Sequence, residues 1–594
     1  MRVKRILFKV AASVVVIVAA ASVTFFAQLA VPGDRATTLM NLQTGQEKKW
    51  TAEELAPLNE KYGFDDPILA QYLDYVTGLF RGDLGTSYTQ KRPVTEVIFG
   101  QLLPSLTLTV AALAVAWLLA LGVTLLTVKR GRILSGLGSA WEALTASLPH
   151  YWVGVVLLVV FAVQLRLFPI IGGTTALGTV LPVLTLAIPL AGFLGQVTRD
   201  EFVHVLEQPF VTTARTRGCP TWGTAAARPA ARRTAGDHAV RLGARRPRLG
   251  RRHHREHLRP AGDRAGAGHR GQHPRPANRV GHRAGGRGRV RGRQPACRPG
   301  LRGDRPQAGG GAMITKVAMI TKVKVRAPLS IGTALSLLFV GLVLIAAIAP
   351  GLLTDRSPTA IDLASALQPP SWQHPFGTDD AGRDLLTRVI YGSRQSLGIG
   401  LGATALAFLI AIVLGFTAAL LGGVVDAAIT RVLEVAFAFP ALLLALLVIA
   451  VRGPSLYTEI IAVGIGSAPG YARMVRGQVL AVRQAGFIEA AAALGHSRFA
   501  VIRRHLFPNA MRPLVAVLTL GVGQSIVWAS GLSFLGLGVP PPSPEWGALL
   551  DAGRLHITTS WWLEILPGLV IVVVTLAVTA LGRTLQNRLG GAAR

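Results

Sequence analysis

The residues best suited to a binding chemistry lie between positions 486 and 509, in the string GFIEAAAALGHSRFAVIRRHLFPN. A run of four alanines predicts a helix with a smooth face that another protein can approach closely, and the glycine after it permits a sharp turn. The basic residues that follow predict that the loop faces the cytoplasm. The alternative interpretation is an ordinary amphipathic loop beside the membrane. The residues concerned are Glu489, Ala490, Ala491, Ala492, Ala493, Gly495, Arg498, Arg503, Arg504 and His505.

Motifs for enzymatic chemistry are missing from the sequence. It contains no Gly-Lys dipeptide, so it has no Walker A loop with which to hydrolyse ATP. It contains no HExxH, no GxSxG and no paired aspartates within its apolar segments. Cys219 and Cys297 form neither a CxxC motif nor a disulfide framework. The sequence therefore predicts a protein without a catalytic site, a cofactor or a metal site of its own.

Composition points to a membrane protein with several spans. The 594 residues are 51% hydrophobic, with a mean hydropathy of +0.44. The net charge of +32 is unevenly distributed. Residues 224–311 hold 23 arginines and four acids, a net of +19, which leaves +13 for the rest. That remainder is ordinary for a protein with positive cytoplasmic loops.

Two series of apolar segments follow one another, each introduced by basic residues. The first predicts four spans, near 10–31, 103–128, 139–165 and 178–197, with an external stretch over 32–98. No small-residue cleavage site precedes Pro32, which disfavours a signal peptide. The second predicts six spans, near 331–353, 395–423, 430–452, 456–475, 512–537 and 562–582, with an external stretch at about 354–393. The predicted fold class is an all-α polytopic membrane protein made of two units.

The first series ends in a polar segment, residues 200–218, that closes with FVTTARTRG. Ala214 and Gly218 are the small residues of this string. The segment therefore opens like a second copy of that loop. The alternative interpretation is a solvated linker.

The arginine-rich stretch, 224–311, lacks Phe, Tyr, Trp, Ile, Met and Lys. One interpretation is a disordered basic arm for nucleic acid or anionic lipid. However, arms that bind nucleic acid usually interleave lysine or aromatic residues. The favoured interpretation is out-of-frame translation, because arginine and histidine codons read one nucleotide later encode largely apolar residues. The shifted frame of 224–240 admits LLRHALRPAVLPVITLF, which repeats the pattern of RRHLFPNAMRPLVAV at 503–517. The predicted domains are 1–222, a linker over 223–318, and 319–594.

Both outer regions resemble the ABC-transporter permeases of the dipeptide, oligopeptide and nickel importer type. The loop at 486–509 resembles the EAA loop of that family. In the first region Pro32-Gly33-Asp34 resembles the PGD motif of the family. The string at 62–88, which ends in GDLGTSY, resembles its external GDLG segment. In the second region HPFGTDDAGRDLL and LSFLGLGVPPPSPEWG resemble two further family signatures. The closely spaced glycines and prolines of the latter predict that the helix breaks as it leaves the membrane and that Trp546 lies in the membrane interface. Departures are Ala529 and Ser530, where the family usually has an acid, and Gly582-Arg583, where it usually has GD. The motif residues are Gly82, Asp83, Gly85, Gly377, Thr378, Asp379, Gly382, Arg383, Asp384, Gly536, Gly538 and Trp546.

The resemblance implies two type I importer permease units, the first cut short after four spans, in a bacterial plasma membrane. It implies import of short peptides or, in some members, nickel complexes. The implied partners are cytoplasmic ABC ATPase subunits, an extracytoplasmic substrate-binding protein, membrane lipid and a second permease copy that would complete the pore, but no nucleic acid. The coupling residues that it implies are Glu489, Ala490, Ala491, Gly495, Arg503, Arg504 and His505, with Ala214 and Gly218. The alternatives are a non-functional frameshifted fusion and a membrane-anchored protein with a basic nucleic-acid- or lipid-binding segment.

Overall fold

The computed structural model describes residues 2–209 except 47, 49, 173 and 174, together with 211 and 331–590. The predicted linker over 223–318 lies outside the described residues, as do Ala214 and Gly218. The chain divides into a unit made of 1–200 and 325–594 and a second unit made of 201–324. The fold below is that of the first unit. Its described residues are helical, with two isolated β-bridges and no strand.

The N-terminal region contains eight described helices. Polar side chains start two of them: the amide of Thr37 donates to Asp34 Oδ2 at 2.8 Å, and Thr51 and Glu54 form a capping box. In chain order the helices are α1 (Arg2–Ala30), α2 (Arg35–Thr44), α3 (Ala52–Tyr62), α4 (Ile68–Arg81), α5 (Val94–Thr127), α6 (Arg132–Ser147), α7 (His150–Leu157, extended by a π-helical turn at Leu158–Gln164) and α8 (Ala176–Leu206).

The C-terminal region has the same order of long helices up to α13, and further helices follow that have no counterpart among the described N-terminal residues. Short 3₁₀ turns at Pro350–Leu352 and Leu363–Ser365 lie within its external stretch. The helices are α9 (Ile331–Ile348), α10 (Leu385–Leu421), α11 (Gly423–Ala438), α12 (Ala441–Arg452), α13 (Leu456–Arg483), α14 (Gly486–Ala493), α15 (Arg498–Val501, extended by a π-helical turn at Ile502–Leu506), α16 (Phe507–Phe534), α17 (Trp546–Arg554) and α18 (Trp562–Gly590).

Seven of the described helices are long and apolar enough to cross a membrane, or nine segments if each bent pair counts as one span. The four spans predicted in the N-terminal region are all among the nine. The remaining predicted span, 456–475, coincides with α13, which is 28 residues long but carries four charged side chains that make it less apolar. Helix α10 begins at Leu385, so the external stretch predicted to 393 ends earlier than expected.

One predicted span in each region is broken into two helices. Helices α6 and α7 meet at 100°, and α11 and α12 meet at 87°. Pro149 and Pro440 stand at the N-caps of α7 and α12. A proline disfavours helical geometry in the residue before it, which explains both breaks.

Equivalent helices of the two regions are buried to different extents. In the apolar window of α10, 44% of the residues are buried, against 17% in the equivalent window of α5. Helix α10 contributes to core clusters with α13, α16 and α18. Helix α5 shares a small alanine cluster with α8, built on Ala116, Ala187 and Ala191. Helices α14–α18 have no counterpart among the described N-terminal residues. Two of them, α16 and α18, pack on α10, which accounts for its greater burial.

The two regions also contact each other within this unit. The Tyr151 ring stacks on Phe534 with centroids 5.3 Å apart. The Trp152 indole donates to the backbone oxygen of Ile565 at 3.2 Å. An added Cβ on Gly568 would lie 1.8 Å from Trp152 Cδ1, so the glycine makes this approach possible. The start of α7 is therefore seated against α16 and α18.

Candidate functional site: the loop 486–509 and the external cap

The loop at 486–509 is a pair of short helices joined by a tight turn. Helix α14 ends at Ala493, and Gly495 takes the left-handed conformation with φ +83°. The amide of Gly495 donates to Ala492 O at 3.0 Å and that of His496 to Ala491 O at 3.3 Å. These two bonds form a Schellman motif, which satisfies carbonyls left open at the helix end. The predicted role of Gly495 in a sharp turn is thereby confirmed.

The second arm of the loop starts from a side-chain cap and leads directly into a long membrane helix. The amide of Ala500 donates to Ser497 Oγ at 3.3 Å. Arg503, Arg504 and His505 lie in the π-helical turn between α15 and α16. Arg503 and Arg504 are exposed and His505 is half-buried. The basic residues are therefore available on the surface beside the turn.

One face of the loop is fixed to the helix bundle. Ile488, Ile502 and Leu506 belong to a core cluster with α10, α13 and α16. Ala491 and Val501 are buried as well, at 5% and 9% exposure. Both arms of the loop are therefore anchored in the helix bundle.

Three large apolar side chains of the loop are exposed, and we call them the loop patch: Phe487, Leu494 and Phe499. Their exposed fractions are 47%, 79% and 71%. Exposed neighbours include Glu489, Arg498, Arg503 and Arg504. An apolar centre with a polar rim is the usual composition of a protein interface.

The patch differs from the surface that the sequence suggested. Ala490, Ala492 and Ala493 are exposed, but Ala491 points into the bundle and is not part of the exposed face. Sequence reasoning missed Leu494 and Phe499, which carry far more apolar area than the alanines. The sequence held one signal for Leu494. Ile488 and Ala491, three residues apart, form the inward face of the helix, whereas Leu494 follows the last helical residue, Ala493.

A second cluster of motif residues lies in the external stretch before α10. Asp379, at 3% exposure, accepts from Arg383 Nε at 2.7 Å and from Arg388 Nη1 at 2.5 Å. Arg388, also at 3% exposure, donates further to the backbone oxygens of Pro542 and Ser543. This buried ion pair joins the external stretch to α10 and to the segment before α17.

Asp384 caps α10. Its Oδ2 accepts from the amide of Thr387 at 2.9 Å and from Thr387 Oγ1 at 2.7 Å. His374 and Arg356 contact its Oδ1 at 2.9 and 3.2 Å. Burial alone would raise the pKa of this carboxyl, but the bonds from Thr387 and His374 and the charge of Arg356 outweigh it, so its pKa lies below the ordinary value. Asp384 therefore stays ionised and holds the helix start in place.

Two glycines of the same motif allow close backbone approach. Gly377 and Gly382 have φ values of +76° and +75°. An added Cβ on Gly382 would lie 1.7 Å from Asp362 O, and one on Gly377 would lie 2.6 Å from Gln368 O. Thr378 lies between these approaches, and its backbone oxygen accepts from the Trp562 indole at 3.2 Å. The motif is thus a structural joint between the external stretch and the start of α18.

The LSFLGLG signature has a related architectural role. Gly536 turns the chain after α16 with φ +78°, and an added Cβ on Gly538 would lie 1.8 Å from Ser533 Oγ. Sequence reasoning placed Trp546 in the membrane interface, and this was wrong. Trp546 has no exposed surface, and its indole donates to Val389 O at 2.9 Å. It is a core residue that packs α17 against α10.

The GDLG segment of the N-terminal region forms a tight external turn. Gly82 and Gly85 have φ values of +79° and +75°. The amide of Gly85 donates to Asp83 Oδ1 at 2.8 Å, which closes the turn after α4. Asp83 is exposed, and its carboxylate stabilises the local turn by accepting from the backbone amide of Gly85.

Comparison with known families decides the identity. Residues 112–234 and 411–591 match the family described as binding-protein-dependent transport system inner membrane component. The chain belongs to this family. Residues 2–111 match the N-terminal domain of such membrane components. The permease is therefore a multi-pass bacterial inner-membrane protein with two regions of the same family in one chain.

Three curated relatives are peptide or glutathione permeases by name. The permease is 39% identical over 237 residues to the probable D,D-dipeptide transport system permease protein DdpC of Escherichia coli K12, covering 40% of this chain and 80% of the relative. It is 40% identical over 247 residues to the dipeptide transport system permease protein DppC of Alkalihalophilus pseudofirmus, covering 42% and 81%. It is 38% identical over 220 residues to the glutathione transport system permease protein GsiD of Pectobacterium atrosepticum, covering 37% and 73%.

Proposed function

We propose that this permease is the membrane-spanning component of an importer for short peptides, and that separate ATPase subunits drive it by docking on the loop patch. A substrate-binding protein outside the membrane delivers the peptide. ATPase closure then moves the loop at 486–509 and switches the spans between inward-open and outward-open states. The loop patch is the observation that carries this proposal. It is an exposed set of apolar side chains on a loop that is otherwise anchored in the helix bundle.

The relatives favour a peptide as cargo. All three are named for dipeptides or glutathione, which are small peptides with both charged and apolar parts. An apolar cavity of about 320 Å³ lies between α12, α13 and α16 and offers space for a peptide side chain. Its lining includes Tyr471, Trp528 and Leu532, with Ser467 as a polar group. Nickel complexes are a less favoured cargo, since the described residues contain no group of His, Cys, Asp or Glu able to hold a metal.

We also propose that the N-terminal region is an incomplete first permease, ending near residue 222 and joined to the second by an out-of-frame linker over 223–318. The shorter length of the first matched region, 112–234 against 411–591, supports an incomplete first unit, although that match runs past the proposed boundary at 222. Resequencing of the DNA across codons 210–325 tests it. One inserted or deleted base is expected, whereas a confirmed sequence would contradict the frame error and establish a genuine fusion.

The substitution Gly495→Asp tests the docking role of the loop. No atom lies within 4 Å of an added Cβ at this position, so the side chain fits in the isolated permease. Aspartate tolerates the left-handed conformation better than most residues, and the strain costs about 1 kcal/mol. We expect the variant to remain folded but to lose ATPase binding, because it adds volume and a negative charge at the turn. The measurement is co-purification of ATPase subunits with the full chain in detergent.

The matched control is Gly453→Asp, between α12 and α13 at the end of α13 that is remote from the loop. It adds the same side chain, also into open space and also at a residue with positive φ, +77°. It is expected to retain most of the binding. Equal retention by both variants would contradict the assignment of the turn to the docking surface.

A further inference from the structure

An arginine occupies the same place in both regions of the chain. Arg199 stands 19 positions before Gly218, and Arg476 stands 19 positions before Gly495. Both lie on the helix that leads into the loop, α8 in the first region and α13 in the second.

Each arginine pairs with a carboxylate on the first helix of the bent pair. In the first region Arg199 Nε and Nη2 donate to Glu142 on α6 at 2.6 and 2.9 Å. In the second, Arg476 Nε and Nη2 donate to Asp426 on α11 at 2.6 and 2.7 Å. Both pairs are bidentate, a geometry that fixes direction as well as distance.

The two acid-bearing helices are built alike. Helices α6 and α11 both have 16 residues and end at the break before a proline. Each begins after a glycine with positive φ: Gly131 at +105°, and Gly422 at +64°. Each helix is therefore a short straight element between two breaks. Asp426 lies in the first turn of α11, whereas Glu142 lies in the second half of α6. The pairing of an acid on this helix with the arginine therefore recurs, but the acid is at a different position.

The remaining contacts join the same elements. The Arg473 guanidinium lies 3.9 Å from the centroid of the Phe437 ring on α11. Arg483, at the end of α13, donates to Ala419 O at the end of α10 at 2.8 Å. Leu433 of α11 packs in one core cluster with Val475 and Val479 of α13. The loop-bearing end of α13 is thus tied to both sides of the break at Gly422.

We infer that Asp426 and Arg476 are positioning residues that transmit movement of the loop at 486–509 to α11. The inference rests on the proposed docking of ATPase subunits on the loop. The Asp426–Arg476 pair is partly exposed, with its side chains 25% and 29% exposed, so removing one charge does not strand the other in a sealed interior.

The second-region pair is the better one to test. Glu142 and Arg199 are 1% and 10% exposed, so removing either would leave a buried charge and endanger the fold. Asp426→Asn removes the charge at a more exposed site. An environment-sensitive fluorophore on Val432→Cys reports on α11, since Val432 is 61% exposed, with Cys219→Ser and Cys297→Ser as background.

The experiment adds the ATPase subunits and ATP to the labelled full chain in lipid nanodiscs and follows fluorescence and ATPase binding together. The unmodified pair is expected to give a fluorescence change. Asp426→Asn should lose most of this change while ATPase binding persists, and the exchange Asp426→Arg with Arg476→Asp should restore it. Glu434→Gln is the matched control, because Glu434 pairs with Arg431 within α11 and does not reach α13. It should leave the response intact.

The outcomes separate the two levels of the proposal. Two outcomes would overturn the transmission role without contradicting ATPase docking. One is a normal fluorescence change in Asp426→Asn. The other is no fluorescence change in the labelled chain with the intact pair, although the ATPase subunits bind. Failure of the ATPase subunits to bind the unmodified chain would overturn the proposed function itself, and this inference with it.

Discussion

Replacing both Leu494 and Phe499 by serine is expected to weaken ATPase binding on the order of a hundredfold or more while the permease stays folded. Burial of one such side chain is worth about 1.5–3 kcal/mol, so losing two removes at least about 3 kcal/mol from docking. In the isolated permease the side chains are 79% and 71% exposed, so their loss should change its stability by only about 0.5 kcal/mol. Titration of ATPase subunits onto the permease in nanodiscs measures the affinity.

Leu555→Ser is the control for this pair. Leu555 is 83% exposed, comparable to Leu494, but it follows α17, beyond the end of α16 that is remote from the loop. We expect unchanged affinity. If the Leu555 variant and the loop variant lost binding equally, the effect would be a general one of surface hydrophobicity, and the loop patch would have no special role.

Asp379→Asn is expected to lower the free energy of unfolding by about 3–5 kcal/mol, the cost of leaving a buried arginine without its partner. Asp379 neutralises Arg388, and both side chains are almost completely buried. The same carboxylate also orders the turn, since its Oδ1 accepts from the amides of Ala381 and Arg383. The expected readout is a much lower Tm in detergent.

Asp380→Asn provides the comparison one residue away. Asp380 is 58% exposed and reaches Arg383 Nη2 only at 3.5 Å, so its loss should cost about 1 kcal/mol or less. A Tm for Asp379→Asn close to that of Asp380→Asn would show that the buried pair does not hold the external stretch to the helices.

Local features were predictable from sequence because their causes are local. The spans follow from runs of apolar residues, and the turn at Gly495 follows from a glycine after a helical run. The GDLG turn likewise depends on Gly82, Asp83 and Gly85 alone. The breaks within two spans also had a sequence signal, Pro149 and Pro440, but apolar runs continue through both prolines and conceal them.

Features that depend on packing between distant segments were not predictable. Arg388 donates hydrogen bonds to Asp379, which is near it in sequence, and to the backbone oxygens of Pro542 and Ser543, which are about 150 residues away and approach it only in the folded chain. Tryptophan is common at the membrane interface, yet Trp546 is buried because α10 and α17 pack around it. The inward direction of Ala491 depends on how α14 sits on the bundle, and four identical alanines give no hint of which one that is.

Cross-linking from the loop patch tests the docking of ATPase subunits most directly. Leu494→Cys, with Cys219→Ser and Cys297→Ser, carries a benzophenone label, and the full chain is irradiated with bound ATPase subunits. The docking site predicts a covalent adduct between position 494 and an ATPase subunit, and none from a label on Leu555→Cys. ATPase subunits that co-purify with the permease but are never captured from position 494 would contradict it.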